Sequence, residues 1–193
     1  MKRVTLELGG KSPTILLDDA DLDQAIPSAL IMAFLNSGQA CAAGTRLLVP
    51  RSRLDAVKRA IMEAMPAFPV GNPADPKTAI GPMVSRKQYE RVQSYIRKGI
   101  EEDSEVLAGG EGHPKGLEAG YFVKPTVFVD VKNDMTIAQE EIFGPVLCVI
   151  AYDSEDEAIR MRTTLNMVCT PRSSRPISRA RIAWPHKYGP GAS

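Results

Sequence analysis

Two hydrophobic periods alternate along residues 1–160, and they predict an alternation of strands and helices. The two-residue period that is typical of strands occurs in VTLEL at 4–8, in SPTILLDD after Gly10 and in TRLLVP at 45–50. Asp21 is a candidate helix N-cap between the last two stretches, and Pro27 is expected to weaken or bend the helix that follows. The inward face of that helix is predicted to contain Leu22, Ala25, Ile26, Ala29, Leu30, Ala33 and Phe34.

The same alternation continues towards residue 160. A helix is predicted from 53 to about 65, and another to about 102 after a capping box formed by Ser85 and Gln88. Proline and glycine predict an irregular loop over 68–82. The remaining predicted elements are the strands EVLAGG, YFVKPTVFVDV and VLCVIAY and a short helix, SEDEAIR, that Asp153 begins. The pattern predicts an α/β fold in which an open, mostly parallel sheet is flanked by helices.

The distribution of charge divides the chain at about residue 160. The 193 residues contain 24 Lys and Arg and 23 Asp and Glu, which gives a net charge of +1. Six of the basic residues, four prolines and no acidic residue lie in 161–193, so that 1–160 is acidic. We therefore predict one domain over 1–160 and a basic tail over 161–193.

Several functional classes lack their sequence signals. No apolar run is long enough to cross a bilayer, and the start MKRVTLELGG does not have the composition of a signal peptide. Three cysteines do not make a disulfide framework, and together with two histidines they match no zinc-binding spacing. We expect a cytoplasmic protein with no membrane partner and no bound metal.

Cys41 is the first candidate for chemistry because it lies in a predicted loop of small residues, NSGQACAAGTR. The loop follows a helix and precedes a strand, and reactive groups are often placed on loops that rigid elements hold. Small neighbours would let a substrate approach the sulfur, but they suit close packing equally well. Taken alone, a cysteine of this kind is more often an inert, buried small residue.

Glu7 is a second candidate, on the predicted strand 4–8. It shares a face of that strand with Thr5, and the following Gly9 and Gly10 permit tight turning of the backbone. The common role for such a residue is a solvated strand position. The alternative is a general base that lies beside a reactive centre.

The third stretch, EEIFGPV at 140–146, contains two adjacent carboxylates before an aromatic residue and a Gly-Pro turn. A carboxylate can hold a ribose diol, and an aromatic ring can support a flat heterocycle. The alternative is an acidic loop in which Phe143 anchors the chain in the core. For this stretch alone, the second interpretation is favoured.

Taken together, these stretches resemble the NAD(P)-dependent aldehyde dehydrogenase superfamily. LELGGKSP, then a helix that ends in NxGQxC with an arginine five residues after the cysteine, then EEIFGPV, occur in the family's order. The spacing from Glu7 to Cys41 also suits the family. The loop VGNPxDPxTxIGPM and the strand region GYFVKPTVF extend the resemblance over residues 2 to about 160.

The resemblance implies a reaction and a set of site residues. Cys41 would attack an aldehyde carbon to give a thiohemiacetal, whose oxyanion would be held partly by the backbone N–H of Cys41. Hydride transfer to NAD or NADP would then give a thioester, and Glu7 would activate the water that hydrolyses it. The implied cofactor contacts are Glu141 to the nicotinamide ribose, Phe143 near the nicotinamide, and Leu8 and Gly9 beside them.

The resemblance also implies that much of the cofactor site belongs to a segment before residue 1. The family has there a dinucleotide-binding domain, which also supplies the amide that completes the oxyanion hole and the residues that hold the adenine ribose. No glycine-rich phosphate loop followed by a helix occurs in this sequence. We therefore expect little or no NAD(P) binding and little or no dehydrogenase activity from this chain alone.

The tail departs from the family pattern in a specific way. Family members continue past EAIR with a segment like IANDTEYGL, whereas this chain has MRTTLNMVC at 161–169. Codons for 162–169 can be chosen so that a one-base shift spells ANDTEYGL, and 181–190 regroups to a later family-like stretch in the same frame. We hypothesise a frameshift by a single-base deletion near the codon for Met161, which would leave the tail disordered or non-native. A nucleic-acid-binding tail is the less favoured alternative, because few aromatic residues accompany the basic ones.

Three functional interpretations stay open. The first is a truncated aldehyde dehydrogenase catalytic domain, the second a non-enzymatic, pseudogene-like fragment, and the third a residual thioester or ester hydrolase that needs Cys41 and Glu7 but no NAD(P). The partner implied by the family is a small-molecule aldehyde of unspecified structure, and no nucleic acid partner is expected. The family's arm that pairs subunits is not recognisable, so a homo-oligomer would have a different arrangement.

Overall fold

A computed structural model describes residues 2–3, 5 and 8–164. Within these residues, five strands form one sheet in the order β1-β2-β5-β4-β3, and helices pack on both of its faces. The strands are β1 (Pro13–Ile15), β2 (Arg46–Pro50), β3 (Glu105–Ala108), β4 (Thr126–Val129) and β5 (Val146–Tyr152). The helices are α1 (Leu22–Phe34), α2 (Leu54–Ala64), α3 (Arg86–Glu101), α4 (Thr136–Gln139) and α5 (Glu155–Thr163).

The sheet is mostly parallel, as the sequence predicts. The pairs β1–β2, β2–β5 and β5–β4 are parallel, and only β3 runs antiparallel, beside β4. Parallel neighbours need a crossover connection, and α1 supplies it between β1 and β2. The register aligns Pro13 of β1 with Arg46 of β2 and Cys148 of β5.

The core has two layers, one on each face of the sheet. Along β5, Leu147 and Val149 pack on the side of α1 and α2, whereas Cys148 and Ile150 pack on the side of α3 and α5. Because both faces of this central strand are covered, it appears in the sequence as the continuous apolar run VLCVIAY rather than as an alternating one. The predicted inward face of α1 is buried from Ala25 to Phe34.

Helices α1 and α3 begin directly after the capping residues that the sequence predicts. The Asp21 carboxylate accepts a hydrogen bond from the Asp23 N–H at 3.0 Å, which confirms the N-cap of α1. Pro27 lies inside α1 without ending it. At α3, the Ser85 hydroxyl accepts from the Gln88 N–H at 3.2 Å, so that half of the capping box is present. The Gln88 side chain has other partners, which are described with the site.

The last helix differs from its predicted form. Ser154, not Asp153, is the N-cap of α5, and its hydroxyl accepts from the Glu157 N–H. Asp153 instead forms an exposed ion pair with Arg51, at 2.6 Å between Oδ1 and Nε. The helix continues through Thr163, three residues beyond the predicted boundary at 160. The tail from 165 to 193 lies outside the described residues, so the frameshift and the disorder of the tail stay predictions.

The predicted strand 4–8 is not formed by the residues that can be described there. Thr5 and Leu8 belong to no strand, and the other three residues of the stretch, Glu7 among them, lie outside the described residues. Across the described part of the chain, no helix is long and apolar enough to cross a membrane.

Two adjacent residues of α2 allow a test of the packing. Ile61 is fully buried and Met62 is 47% exposed. We expect Ile61→Ala to lower the free energy of unfolding by about 2–5 kcal/mol, because it leaves a cavity between α2 and the sheet. Met62→Ala, the matched control, should change it by less than about 0.5 kcal/mol. Urea unfolding measures both, and equal effects would contradict this packing.

Candidate active site

Three candidate segments precede three neighbouring parallel strands. Gly9, Cys41 and Phe143 each lie four or five residues ahead of a strand position, and the three positions are aligned across the sheet. The aligned positions are Pro13, Arg46 and Cys148. Because β1, β2 and β5 run in the same direction, the segments that precede them meet at one edge of the sheet.

The cysteine loop, residues 36–44, leaves α1 through an unusual turn. Asn36, Ser37 and Gly38 have φ angles of 52°, 59° and 71°, which places three consecutive residues in the left-handed region. The Ala43 N–H then donates to the Ala40 carbonyl at 3.0 Å and closes a turn that contains Cys41. Cys41 is exposed there, so it is not the buried small residue that the alternative interpretation describes, and its reactivity stays a prediction.

The predicted irregular loop 68–82 and its continuation to Val84 hold the cysteine loop in place. The Ser37 hydroxyl accepts from the Gly81 N–H at 3.0 Å and donates to the Gly81 carbonyl at 3.2 Å. The Gln39 side-chain oxygen accepts from the Val84 N–H at 3.0 Å. These contacts explain why the IGPM stretch accompanies the cysteine loop: Gly81 of that stretch and Val84 just after it supply backbone partners for two polar side chains of the loop.

Gly38 brings the cysteine loop against the EEIFGPV segment. A Cβ atom at Gly38 would lie 2.1 Å from the carbonyl oxygen of Gly144, a distance that no side chain can occupy. Gly144 in turn packs on α3, since a Cβ atom there would lie 2.4 Å from a methyl group of Val92. The two glycines therefore allow the cysteine loop, the EEIFGPV segment and α3 to approach one another closely.

The glycines of LELGG contact the carboxylate of Glu141. The Gly10 N–H donates to Oε1 of Glu141 at 3.2 Å. A Cβ atom at Gly9 would lie 2.2 Å from Oε2 of the same carboxylate, so a side chain there would displace the carboxylate from this position. The preceding Leu8 is 57% exposed. The structure thus brings Gly9 and Glu141 together, two of the residues predicted for the cofactor site, and Leu8 is the chain neighbour of Gly9.

Phe143 has a backbone conformation that needs support. Its φ angle of 59° is rare for a residue with a large side chain. Gln88 supplies the support, because its side-chain N–H groups donate to the carbonyls of Ile142 at 3.0 Å and Phe143 at 2.8 Å. The Gln88 side chain that the sequence assigned to a capping box therefore fixes the loop beside Cys41.

Two more residues of α3 hold the acidic pair. Arg91 donates to the Glu141 carbonyl at 2.7 Å, and its guanidinium lies 4.9 Å from the centre of the Tyr95 ring. The Tyr95 hydroxyl donates to the Glu140 carboxylate at 2.6 Å. Burial raises the pKa of Tyr95, and the hydrogen bond to Glu140 raises this pKa further. The two acidic residues therefore have different roles, since Glu140 binds α3 and Glu141 faces the glycines.

Sequence reasoning missed Gln88, Arg91 and Tyr95 as residues of the site. They line one side of an open groove of about 480 Å³ on the surface of α3. Their spacing of three and four residues, which places polar groups on one helical face, is the signal that would have found them. That signal is weak, because solvated helix faces have the same pattern.

Glu7, the predicted general base, lies outside the described residues, and its distance to Cys41 stays a prediction. Among the described residues, no group of three or more His, Cys, Asp and Glu side chains could hold a metal ion.

The contact between Gly38 and Gly144 can be tested with a matched pair of substitutions. Gly38 and Gly116 both have positive φ angles, of 71° and 81°, but a Cβ atom at Gly116 meets nothing within 4 Å. Gly116→Ala should cost about 1–2 kcal/mol in free energy of unfolding, for the left-handed backbone alone. Gly38→Ala should cost clearly more, because the methyl group also displaces Gly144. Equal losses in urea unfolding would argue against the close approach.

The role of Gln88 can be tested with an isosteric change. Gln88→Glu replaces two donated hydrogen bonds with a carboxylate that faces two carbonyl oxygens, so we expect a loss of about 1–3 kcal/mol in stability at neutral pH. The loss should shrink as the pH falls towards the ordinary glutamate pKa of about 4.3, because the folded state favours the protonated carboxyl, which can donate again. The control is Glu90→Gln, an exposed position two residues further along the same helix, which should be nearly neutral. A loss that did not depend on pH would contradict the assigned contacts.

Comparisons with known proteins identify the family of this chain. The sequence pattern of the aldehyde dehydrogenase family matches residues 1–167. A Staphylococcus saprophyticus protein assigned to the aldehyde dehydrogenases is 54% identical over 160 residues, which are 83% of this chain and 34% of that protein. The chain therefore spans about a third of the length of such relatives.

Solved structures give the same result. Pseudomonas syringae AldC, as a cysteine-to-alanine variant with NAD+ and octanal, superposes with a TM-score of 0.81 at 48% identity, over 83% of this chain and 33% of that one. A Mycobacterium tuberculosis aldehyde dehydrogenase with NAD+ gives 0.80 at 52% identity, over 82% and 33%. P. syringae AldA, an indole-3-acetaldehyde dehydrogenase variant that also has alanine in place of a cysteine, gives 0.77 at 42%, over 81% and 32%. From its sequence and its fold, this chain belongs to the aldehyde dehydrogenase family.

Proposed function

We propose that this chain carries the acyl-forming part of an aldehyde dehydrogenase active site, with Cys41 as the nucleophile and Glu7 as the base. We further propose that the chain alone performs little or no NAD(P)-dependent oxidation. The observation that supports the proposal is the contact between Gly38 and Gly144, which joins the loop of an exposed cysteine to the segment that contains Glu141 and Phe143.

Two of the similar structures support a chemical role for the cysteine. The AldC and AldA variants, each with alanine in place of one cysteine, were crystallised with NAD+ and a second small molecule, octanal in one case. Removal of a nucleophile is a usual way to hold a reactive substrate in place. By analogy, the substrate class for this fold is an aldehyde.

In the proposed reaction, the Cys41 thiolate forms a bond to the aldehyde carbon, and the carbonyl electron pair moves to oxygen. The Cys41 backbone N–H holds that oxyanion. Collapse of the oxyanion would release the hydrogen of the former aldehyde as hydride, for which bound NAD or NADP would be the acceptor, and would leave an acyl group on sulfur. Glu7 then takes a proton from water, the water oxygen adds to the acyl carbon, and the Cys41 thiolate leaves as the carboxylate product forms.

The described residues fit the nicotinamide half of the cofactor. The Glu141 carboxylate, beside the bare backbone of Gly9 and Gly10, would hold the ribose, and Leu8 and the half-buried ring of Phe143 would contact the nicotinamide side. When bound, NAD or NADP supplies the hydride acceptor. Among the described residues, no glycine-rich turn connects a strand to the start of a helix, as a phosphate site would require. Weak or absent binding of the cofactor is therefore the expected property of this chain.

The end of α1 favours an aldehyde with an apolar substituent. The Gly44 N–H donates to the Met32 carbonyl at 3.3 Å, so the last turn of this helix lies against the cysteine loop. Ile31 in that turn and Leu35 just after it are 53% and 59% exposed. Large apolar side chains exposed beside a nucleophile suit an alkyl or aryl group.

The test is ester hydrolysis, which needs the cysteine and the base but no cofactor. With 4-nitrophenyl acetate, we expect a burst of about one nitrophenolate per chain, followed by slow turnover. Cys41→Ser should remove the burst. Glu7→Gln should keep the burst and lower the steady rate by roughly 10²–10⁴-fold, because only deacylation needs the base.

Controls separate the alternatives. Cys148→Ser should keep the burst, since Cys148 is fully buried in the core. The lack of a burst in the unmodified chain would support the non-enzymatic interpretation and contradict the proposal. NADH formation from octanal and NAD+ by this chain would refute the expected loss of dehydrogenase activity, and saturable heat on titration with NAD+ would refute the expected loss of binding.

A further inference from the structure

Arg46 is a fully buried arginine at the start of β2, five residues after Cys41. Its Nε donates to the Lys11 carbonyl at 3.0 Å, and its NH1 donates to the Asn133 side-chain oxygen at 2.8 Å and to the Met161 carbonyl at 3.1 Å. Burial lowers the pKa of Arg46 to about 10, so the guanidinium is charged at neutral pH and these hydrogen bonds are charge-assisted. One side chain therefore joins segments that are distant from one another in the sequence.

The contact with Lys11 reaches towards the candidate site. Lys11 follows directly after Gly10, whose N–H donates to the Glu141 carboxylate, and it lies four residues after Glu7. The ladder that pairs β1 with β2 begins only two residues after Lys11. The hydrogen bond from Arg46 therefore fixes a residue that lies ahead of the paired strands, on the side of the site.

Asn133 connects the arginine to the segment of the acidic pair. Its side-chain oxygen accepts from Arg46, and its backbone carbonyl accepts from the side-chain amide of Gln139. Gln139 is the last residue of α4 and directly precedes Glu140. The same amide donates to the Thr164 carbonyl at 3.2 Å, just beyond α5. Arg46 is thus connected to all three candidate segments, one of which contains it.

The chemistry of these contacts explains why the position holds an arginine. A guanidinium presents its N–H groups in a rigid planar fork, which fixes its acceptors relative to one another, whereas the ammonium group of a lysine does not. The three acceptors of Arg46 are two backbone carbonyls and an amide oxygen, all uncharged. Such acceptors offset the cost of burying a charge only in part. Core stability alone therefore does not favour an arginine here, whereas a fixed geometry between the segments does.

We propose that Arg46 is a positioning residue: it holds the three candidate segments in place and thereby sets the position of Glu7 relative to Cys41. The inference rests on the proposed function for the roles of Glu7 and Cys41. Deacylation needs a water molecule between the base and the acyl carbon, and a misplacement of about 1 Å can slow such a step by about 10²-fold. Acylation uses Cys41 and its own backbone N–H, so it depends less on Arg46.

The test uses the full chain, 4-nitrophenyl acetate and two substitutions in β2. Arg46→Lys keeps the positive charge and loses the fork, so the burst should keep its amplitude while the steady rate falls by roughly 10–100-fold. The matched control is Leu48→Ala, because Leu48 is fully buried and lies on the same face of the strand as Arg46. It loosens the core beside the arginine and should keep both the burst and the steady rate. Equal losses in the two variants would reduce Arg46 to a structural residue and overturn the proposal.

Hydroxylamine distinguishes a displaced base from a general loosening of the site. Its nitrogen adds to the acyl carbon, loses a proton to the solvent and releases the Cys41 thiolate, without the help of Glu7. Hydroxylamine should therefore restore turnover in Arg46→Lys, as it should in Glu7→Gln. A steady rate that stays low with hydroxylamine would contradict the proposed role.

Asn133 supplies a second pair of variants that keeps the proposal testable if Arg46→Lys does not fold. Asn133→Ala removes one acceptor of Arg46 at a half-buried position, and it should lower the steady rate while the burst remains. Asn133→Asp keeps an acceptor for the guanidinium and should recover most of that rate. The lack of any difference between the two variants would count against the proposal.

Hydrogen exchange of the Gly10 amide measures the positioning without catalysis. This amide donates to Glu141 at 3.2 Å, so its exchange reports whether the two segments stay in contact. With both variants folded, exchange should be faster by roughly 10-fold in Arg46→Lys than in Leu48→Ala. Equal exchange would overturn the proposal. The lack of a burst in the unmodified chain would instead refute the proposed function, and the Gly10 amide would still decide whether Arg46 holds the segments.

Discussion

The parallel pairing of β2 with β1 on one side and β5 on the other is the constraint on which the site depends. The alignment of Pro13, Arg46 and Cys148 fixes where the segments before the three strands begin. A shift of one residue in a parallel strand would turn its buried side chains to the opposite face, and both faces here are filled. The hydrophobic core therefore determines which loops meet, although no residue of the core takes part in the proposed chemistry.

Much of the fold could be predicted from the sequence, because local signals and packing agree in it. Asp21 is an N-cap by its side-chain chemistry, the face of α1 is buried as its period predicts, and the apolar run of β5 marks a strand with two covered faces. The exceptions are positions where the decisive partner is distant in sequence. Pro27 does not end α1, because packing against the sheet outweighs the lost hydrogen bond.

The candidate site was less accessible to sequence reasoning for the same physical reason. Cys41, Glu141 and Phe143 were candidates from their own stretches, but their roles came only from a resemblance, because the contacts among their segments are long-range. Gln88 satisfies a helix-capping pattern with its backbone N–H, whereas its side chain binds a loop 54 residues further along. Arg46 was noted only by its spacing from the cysteine, and nothing in its neighbourhood of the sequence indicates that it is fully buried.

The hydrogen bond between Gly10 and Glu141 has a consequence for any molecule that approaches this carboxylate. Part of the carboxylate's accepting capacity is already used by the protein's own backbone. A diol that binds there has to share the carboxylate with the Gly10 N–H or displace it, and the displaced amide then needs a new acceptor. Binding at this position would therefore exchange one hydrogen-bond partner of the carboxylate for another. The net gain in binding free energy would be smaller than the number of new hydrogen bonds suggests.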